Sequence, residues 1–230
     1  MPASGQTKHL FFDLDDTIWD FQANSSRVLQ DLFTEHGLEN KIKCSFNEFL
    51  REYKDINLEF WSLYSKRLMN KQDLRNRRFA DTFARFGYEN ETENRILTEK
   101  YMSRAPQGKA LKPGALEVLT ELGQRHYLHL LTNGFIEVQD TKIDGCGLRQ
   151  YFRQIIISEK HGLSKPDTRL FRLAEELSGA QSTDCVMIGD NEETDIHGAL
   201  SAGWEAVHLS NGIPIHKHTI RELKELLRIY

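Results

Sequence analysis

Four short segments of the chain carry residues that could do chemistry together. Asp13-Leu14-Asp15-Asp16-Thr17 closes one apolar run and Thr132-Asn133-Gly134 closes a second. Ser158, with Lys165 a short loop later, closes a third, and Gly189-Asp190, with Asp195 close behind, closes a fourth. If these runs are parallel strands, all four segments open on one edge of a sheet, the edge at which open α/β sheets bind ligands. Carboxylates, a hydroxyl and an amine then converge. Asp13, Asp15, Asp190 and Asp195 repel one another at close range unless a cation and a lysine neutralise them. Oxygen-rich ligation with few protein donors, next to a phosphate, suits Mg²⁺. Asp16 and Asp20 read more simply as a cap or a turn former.

The elements that must position these residues follow from hydrophobic pattern. His9 to Leu14, Leu128 to Thr132, Gln154 to Ser158, Cys185 to Gly189 and Ala206 to Leu209 are short, apolar and rich in β-branched residues, as strands buried on both faces are. From Leu128 onward they alternate with helical patterns, such as Asp167 to Ser178 ending at Gly179, which is the rhythm of a parallel sheet. A last helix is expected to open at Thr219, with Glu222 completing a capping box, and to run toward Tyr230. The first two runs lie more than a hundred residues apart, whereas a βαβ crossover takes about thirty. Between them the spacing predicts helices, one capped by Ser45 and Glu48, another near Asp73 to Phe86 stopping at Gly87. The expected architecture is an α/β, Rossmann-like doubly wound parallel sheet core (1–18 and 108–230) with an inserted all-helical cap domain (19–107), Pro113 restarting the core at a helix N-terminus.

Composition limits the partners. The 230 residues are 39% hydrophobic and 28% charged with five prolines, which is globular and leaves no room for a long disordered tail. A net charge of -4 argues against a broad basic face for a nucleic-acid polymer. The three cysteines form no CxxC pair and read as reduced thiols. The polar stretch from Met1 to Lys8 lacks the apolar core of a signal peptide, and no apolar run is long enough to span a membrane. A cytoplasmic enzyme acting on a small molecule is the expectation, and the sequence leaves its oligomeric state open.

The four segments, in order, resemble the motifs of the haloacid dehalogenase-like hydrolase superfamily: DxDxT at Asp13 to Thr17, the hydroxyl motif at Thr132, the lysine motif in Ser164-Lys165-Pro166-Asp167, and the acidic motif from Gly189 to Asp195. Each is weak alone; four at successive predicted strand ends are a strong signal. The helical insert after the first motif resembles the subgroup with an all-helical cap. The resemblance implies Asp13 as a nucleophile that becomes an aspartyl-phosphate, Asp15 as general acid and base, and Mg²⁺ held by Asp13, the Asp15 backbone carbonyl and Asp190, with Asp195 adjacent or behind. Thr132, Asn133 and Lys165 would bind the phosphoryl group. Asp15 separates phosphatases from dehalogenases, because a halide leaves without a proton. Mutases keep both aspartates, and a silent relative would have lost some of these residues.

Trp61 to Tyr64, Leu74-Arg75, Arg78-Phe79, Leu131 to Phe135 and the acidic run look like the bacterial pyrimidine 5′-nucleotidase branch. That likeness implies a small phosphomonoester as partner. The alternatives are a sugar phosphate, acylneuraminate 9-phosphate or phosphoglycolate phosphatase, or a β-phosphoglucomutase-like phosphomutase. Trp19, Trp61, Tyr64 and Arg78 are candidates for contacting the leaving group. Against that stands core packing for the aromatics and a solvated face for an arginine run.

Overall fold

A computed structural model of the protein describes residues 7–212, 214, 216 and 218–230. The chain divides into two compact units, one running through Phe21 and then Lys109–Tyr230, the other Gln22–Gly108.

The larger unit is built on six parallel strands: β1 His9–Phe12, β2 Tyr127–Thr132, β3 Gln154–Ile157, β4 Cys185–Gly189, β5 Glu205–Leu209 and β6 Thr219–Ile220. Their order is β3-β2-β1-β4-β5-β6, so β1 lies between β2 and β4, where the order of connection reverses. Such a reversal opens the crevice that binds ligands in this class of sheet. Strand alternation divides the core. Leu10, Phe12, Leu130, Val186 and Ile188 face α6 (Ala115–Gly123), which contributes Val118, Leu119 and Leu122. Phe11, Leu131, Ile156 and Met187 face the other way, into a cluster with Leu170, Phe171 and Ala174 of α8 (Thr168–Ser178) and Ala199 of α9 (Gly198–Ser201). Burial on both faces is why these strands are apolar without interruption. Asp167 caps α8 by accepting from the Arg169 amide, and Gly179 ends it. The remaining crossover helix, α7 (Ile136–Gly145), follows β2 directly.

Two elements differ from expectation. Thr219 and Ile220 do not begin a helix; they pair with His208 and Leu209 as the edge strand. The helical turn starts later, because the Glu225 carboxylate accepts from the amides of Arg221 and Glu222 and fixes the N-terminus there. It then runs into α10 (Leu226–Ile229). Pro113 also lies ahead of its helix, in the turn before Gly114.

The second unit is helical throughout. The chain enters it along α1 (Phe21–Glu35), followed by α2 (Leu38–Ile42), α3 (Phe46–Ser65), α4 (Lys71–Ala84) and α5 (Glu91–Arg104). α3 starts at the expected capping box, in which the Glu48 amide bonds the Ser45 hydroxyl and the Ser45 amide bonds the Glu48 carboxylate. Asn70 and Asn90 cap α4 and α5 in the same way through their side-chain oxygens. Leu32, Phe33, Phe49, Tyr53, Phe79, Phe83, Leu97 and Tyr101 form its core. Among the described residues, no helix is long and apolar enough to cross a membrane.

Candidate active site

β1 ends at Phe12, and the Asp13 amide extends its ladder by bonding the Ile188 carbonyl of β4 at 2.9 Å. That bond fixes Asp13 between the ends of β1 and β4. The chain then turns within six residues: the amides of Ile18 and Trp19 both bond the Leu14 carbonyl, and Asp16 adopts φ 57°. Asp16 is thus a turn former, with Lys112 3.7 Å away. Asp15 leaves the turn only partly buried, whereas Asp13 is 8% exposed.

The two loops after β2 and β3 are stapled together by one side chain. Asn133 accepts from the Lys165 amide at 2.8 Å and donates to the Lys165 carbonyl at 2.9 Å. With its backbone so held, Lys165 reaches into the interior, 1% exposed, and donates to Asp13 Oδ1 and Asp195 Oδ1, each at 2.6 Å. The Asn133 side chain is therefore committed to Lys165, leaving its loop to offer backbone amides to a ligand.

Asp195 sits in the π-helical turn Glu192–His197, whose start is capped by Asn191. Its second oxygen accepts from the Asn191 amide at 3.1 Å. A Cβ at position 189 would fall 2.2 Å from that oxygen, so only glycine lets β4 end against this carboxylate. Asp190 accepts from the Thr17 hydroxyl at 3.3 Å, and its carbonyl accepts from the His208 ring at 3.0 Å.

Carboxylate oxygens of Asp13, Asp190 and Asp195 all lie within 4.8 Å of one another. One amine, Lys165, is bonded within this group among the described residues. Burial, with Asp195 nearby, holds the Asp13 carboxyl up at about 7 against the pull of Lys165; burial and the neighbouring carboxylates of Asp195 and Asp13 hold Asp190 at about 8. Burial by itself would lower the Lys165 amine, but Asp13 and Asp195 outweigh it and raise it well above its ordinary value. Three carboxylates facing one ammonium are short of positive charge, and an oxygen-only donor set of this kind fits a hard divalent cation.

Asp15 does not join that cluster. Its two oxygens accept from Lys142 Nζ at 2.6 Å and Gln139 Nε2 at 3.0 Å, both on α7. Gln139 also donates to the Thr132 hydroxyl at 2.7 Å. Neither Gln139 nor Lys142 was singled out in the sequence; the available signal was a pair of polar residues on the inward face of a helix pinned between Phe135 and Ile143.

Of the candidates for contacting a leaving group, two must be corrected. Trp19 is fully buried in the sheet core, under the Lys142 amine 4.4 Å from its ring centroid, and offers no free face. Arg78 is neither solvated nor on a surface: at 3% exposure it donates to Asn57 at 3.1 Å and lies over the Tyr101 ring. Trp61 and Tyr64 stay partly exposed on α3, edge to face with centroids 5.6 Å apart.

Residues 7–203 match the model of the haloacid dehalogenase-like hydrolases. The chain belongs to this family. Among its haloacid dehalogenase-like relatives, the HAD-hydrolase YfnB of Bacillus subtilis, solved bound to magnesium, superposes with a TM-score of 0.88 at 30% identity, covering 98% of this chain and 99% of that one. The pyrimidine 5′-nucleotidase PynA of Streptococcus pneumoniae is 32% identical over 89% of this chain and 86% of its own. The N-acylneuraminate-9-phosphatase of Rattus norvegicus is 29% identical over 91% and 86%. All three relatives span both units of the chain.

Proposed function

We propose that this hydrolase is a magnesium-dependent phosphomonoesterase working through an aspartyl-phosphate, with pyrimidine nucleoside 5′-monophosphates as preferred substrates. The observation that carries the chemistry is the contrast between two aspartates on one turn. Asp13 is buried against Lys165 in the carboxylate cluster, and Asp15 is held apart from it by α7.

In this reading the Asp13 carboxylate attacks phosphorus as the bond to the leaving oxygen breaks, and Asp15 protonates that oxygen. Asp15 then takes a proton from the water that cleaves the acyl phosphate, which releases phosphate and restores Asp13. A halide needs no such proton, so the presence of Asp15 supports ester hydrolysis over dehalogenation. Lys165 offsets charge on the phosphoryl oxygens while holding Asp13 in place. Thr132 accepts bonds from Gln139 and the Gly134 amide, so its own hydroxyl proton remains to be donated to phosphate. Asp13, Asp190 and the Asp15 backbone carbonyl would hold Mg²⁺, which supplies the positive charge that lets an anionic nucleophile meet an anionic substrate. Asp195, already bonded to Lys165 and the Asn191 amide, fits a place behind the ion.

The substrate reading rests on the likeness to PynA. The test is phosphate release with Mg²⁺ from UMP, dUMP, dTMP, AMP, GMP, hexose phosphates, phosphoglycolate and N-acylneuraminate 9-phosphate. The pyrimidine nucleotides should give the highest kcat/KM. A sugar phosphate ahead by tenfold, about 1.4 kcal/mol of transition-state preference, overturns the substrate and leaves the chemistry. No phosphate from any ester overturns both.

A further inference from the structure

Helix α7 buries two polar side chains one turn apart, Gln139 at 0% and Lys142 at 4% exposure. A buried ammonium is costly unless it is paired, and a buried amide unless it is hydrogen-bonded. Both are answered by one partner. Lys142 Nζ donates to Asp15 Oδ1 and Gln139 Nε2 to Asp15 Oδ2, so the helix grips both oxygens of a single carboxylate. Lys142 is steadied from behind by the rings of Trp19 and Phe21, 4.4 and 5.9 Å from its nitrogen. Gln139 reaches on to the Thr132 hydroxyl across Gly134, where a Cβ would fall 2.1 Å from its Nε2. A glycine has been placed where any side chain would break the bridge.

A plain surface ion pair would look different. Lys142 has only 6% of its side chain exposed, the geometry is bidentate, and the second donor also binds the threonine that follows β2. Lys142 Nζ and Gln139 Nε2 are both buried and bonded, which holds them in one conformation, while Gln139 Oε1 has no hydrogen-bond partner.

We infer that Gln139 and Lys142 are positioning residues that lock the Asp15 carboxyl in register with Thr132, so that the proton donor and the phosphate-binding hydroxyl are held as one unit. This rests on the reading of Asp15 as general acid. They touch no reacting atom; Lys142 acts through Asp15, and Gln139 through Asp15 and the Thr132 hydroxyl. If the acid is mispositioned, hydrolysis should become more sensitive to how badly the leaving group needs a proton.

The test uses phenyl phosphate and p-nitrophenyl phosphate, which are alike in shape but differ in leaving-group basicity, so it does not depend on the natural substrate. Single-turnover release of the phenol is measured with Mg²⁺ for wild type, Asp15→Asn, Lys142→Met, Lys142→Arg and Gln139→Met. Lys142→Met should slow release from phenyl phosphate at least tenfold and from the nitrophenyl ester threefold or less. Gln139→Met should move the same ratio in the same direction, and Lys142→Arg should recover most of the loss. If Lys142→Met does not fold, Gln139→Met and Lys142→Arg carry the comparison. Equal losses on both esters, beside a selective loss in Asp15→Asn, overturn the positioning role alone. Equal losses in Asp15→Asn itself overturn the general-acid reading and this inference with it.

Discussion

Both units of this protein bury cations, and Lys165 in the sheet unit and Arg78 in the helical unit are handled in opposite ways. At the edge of the sheet, Lys165 is enclosed by carboxylates, bonded to Asp13 and Asp195 at 2.6 Å and short of positive charge even so. Inside the helical unit, Arg78 has neutral company: the Asn57 amide oxygen, the Met102 sulfur and the Tyr101 ring. Its Nε has no hydrogen-bond partner. A low dielectric magnifies whatever surrounds a buried charge. Around Lys165 it concentrates an ionic cluster that a metal and a phosphate could complete; around Arg78 it leaves a desolvated guanidinium whose neighbours can only soften the cost.

The largest expected effect lies at the ionic centre. Asp13→Asn is nearly isosteric and should leave the circular dichroism spectrum unchanged while cutting turnover at least a thousandfold. Turnover within tenfold of wild type, after excluding deamidation by mass spectrometry, would remove Asp13 as nucleophile. Close behind comes metal removal. Excess EDTA should abolish phosphate release and Mg²⁺ should restore it, with Mn²⁺ as a substitute; full turnover in chelator would refute a role for the cation.

The next experiment sets the two cations against each other. Lys165→Met strips Asp13 and Asp195 of the ammonium bonded to them and should cost about 3–5 kcal/mol in metal-free denaturation, as breaking a buried pair does. Arg78→Met removes a desolvated charge along with a few neutral bonds, and the change should stay within about 1–2 kcal/mol. Similar losses for both would mean that Arg78 is as firmly compensated as Lys165.

The smallest effect is a pH dependence. Asp13 and Asp190 keep protons to about 7 and 8 in the folded, metal-free protein against an ordinary value of 3.8, so the folded state binds protons more tightly. The stability linked to them is fully present below about 4 and is lost as pH rises through 7 and 8. His129 works the other way: burial lowers its imidazole to about 3, so stability falls as pH drops below its ordinary 6.5. Two raised carboxyls outweigh one lowered imidazole above about pH 4, so the metal-free melting temperature should be highest near pH 4 and decline as the pH rises toward 8. Asp190→Asn should flatten the alkaline side only; a variant with an unchanged alkaline slope would show that the cluster is not its source.

The strands that deliver Asp13, Thr132, Lys165 and Asp190 could be read from the chain because burial on both faces leaves runs such as Cys185-Val186-Met187-Ile188-Gly189 without polar interruption. β6 escaped because two residues carry no period, and Thr219 with Glu222 imitates a cap that Glu225 supplies instead. α5 was harder still. Its buried residues Glu93, Leu97, Thr98 and Tyr101 alternate polar with apolar, so no apolar stripe marks it.

Within the site the same division holds. Parallel strands and short loops oblige the motif residues to emerge on one edge, so their identity and company follow from order along the chain, and glycine at 189 and 134 is already written there. What the order cannot supply is rotation. Whether Gln139 and Lys142 face Asp15, whether Trp19 offers its ring to a ligand or backs a lysine, and whether Arg78 meets water or a tyrosine ring each depend on how a helix or turn is rolled against its neighbours. That roll is set by packing over contacts far apart in sequence, 124 and 127 residues in the case of Asp15, and only the folded protein decides it.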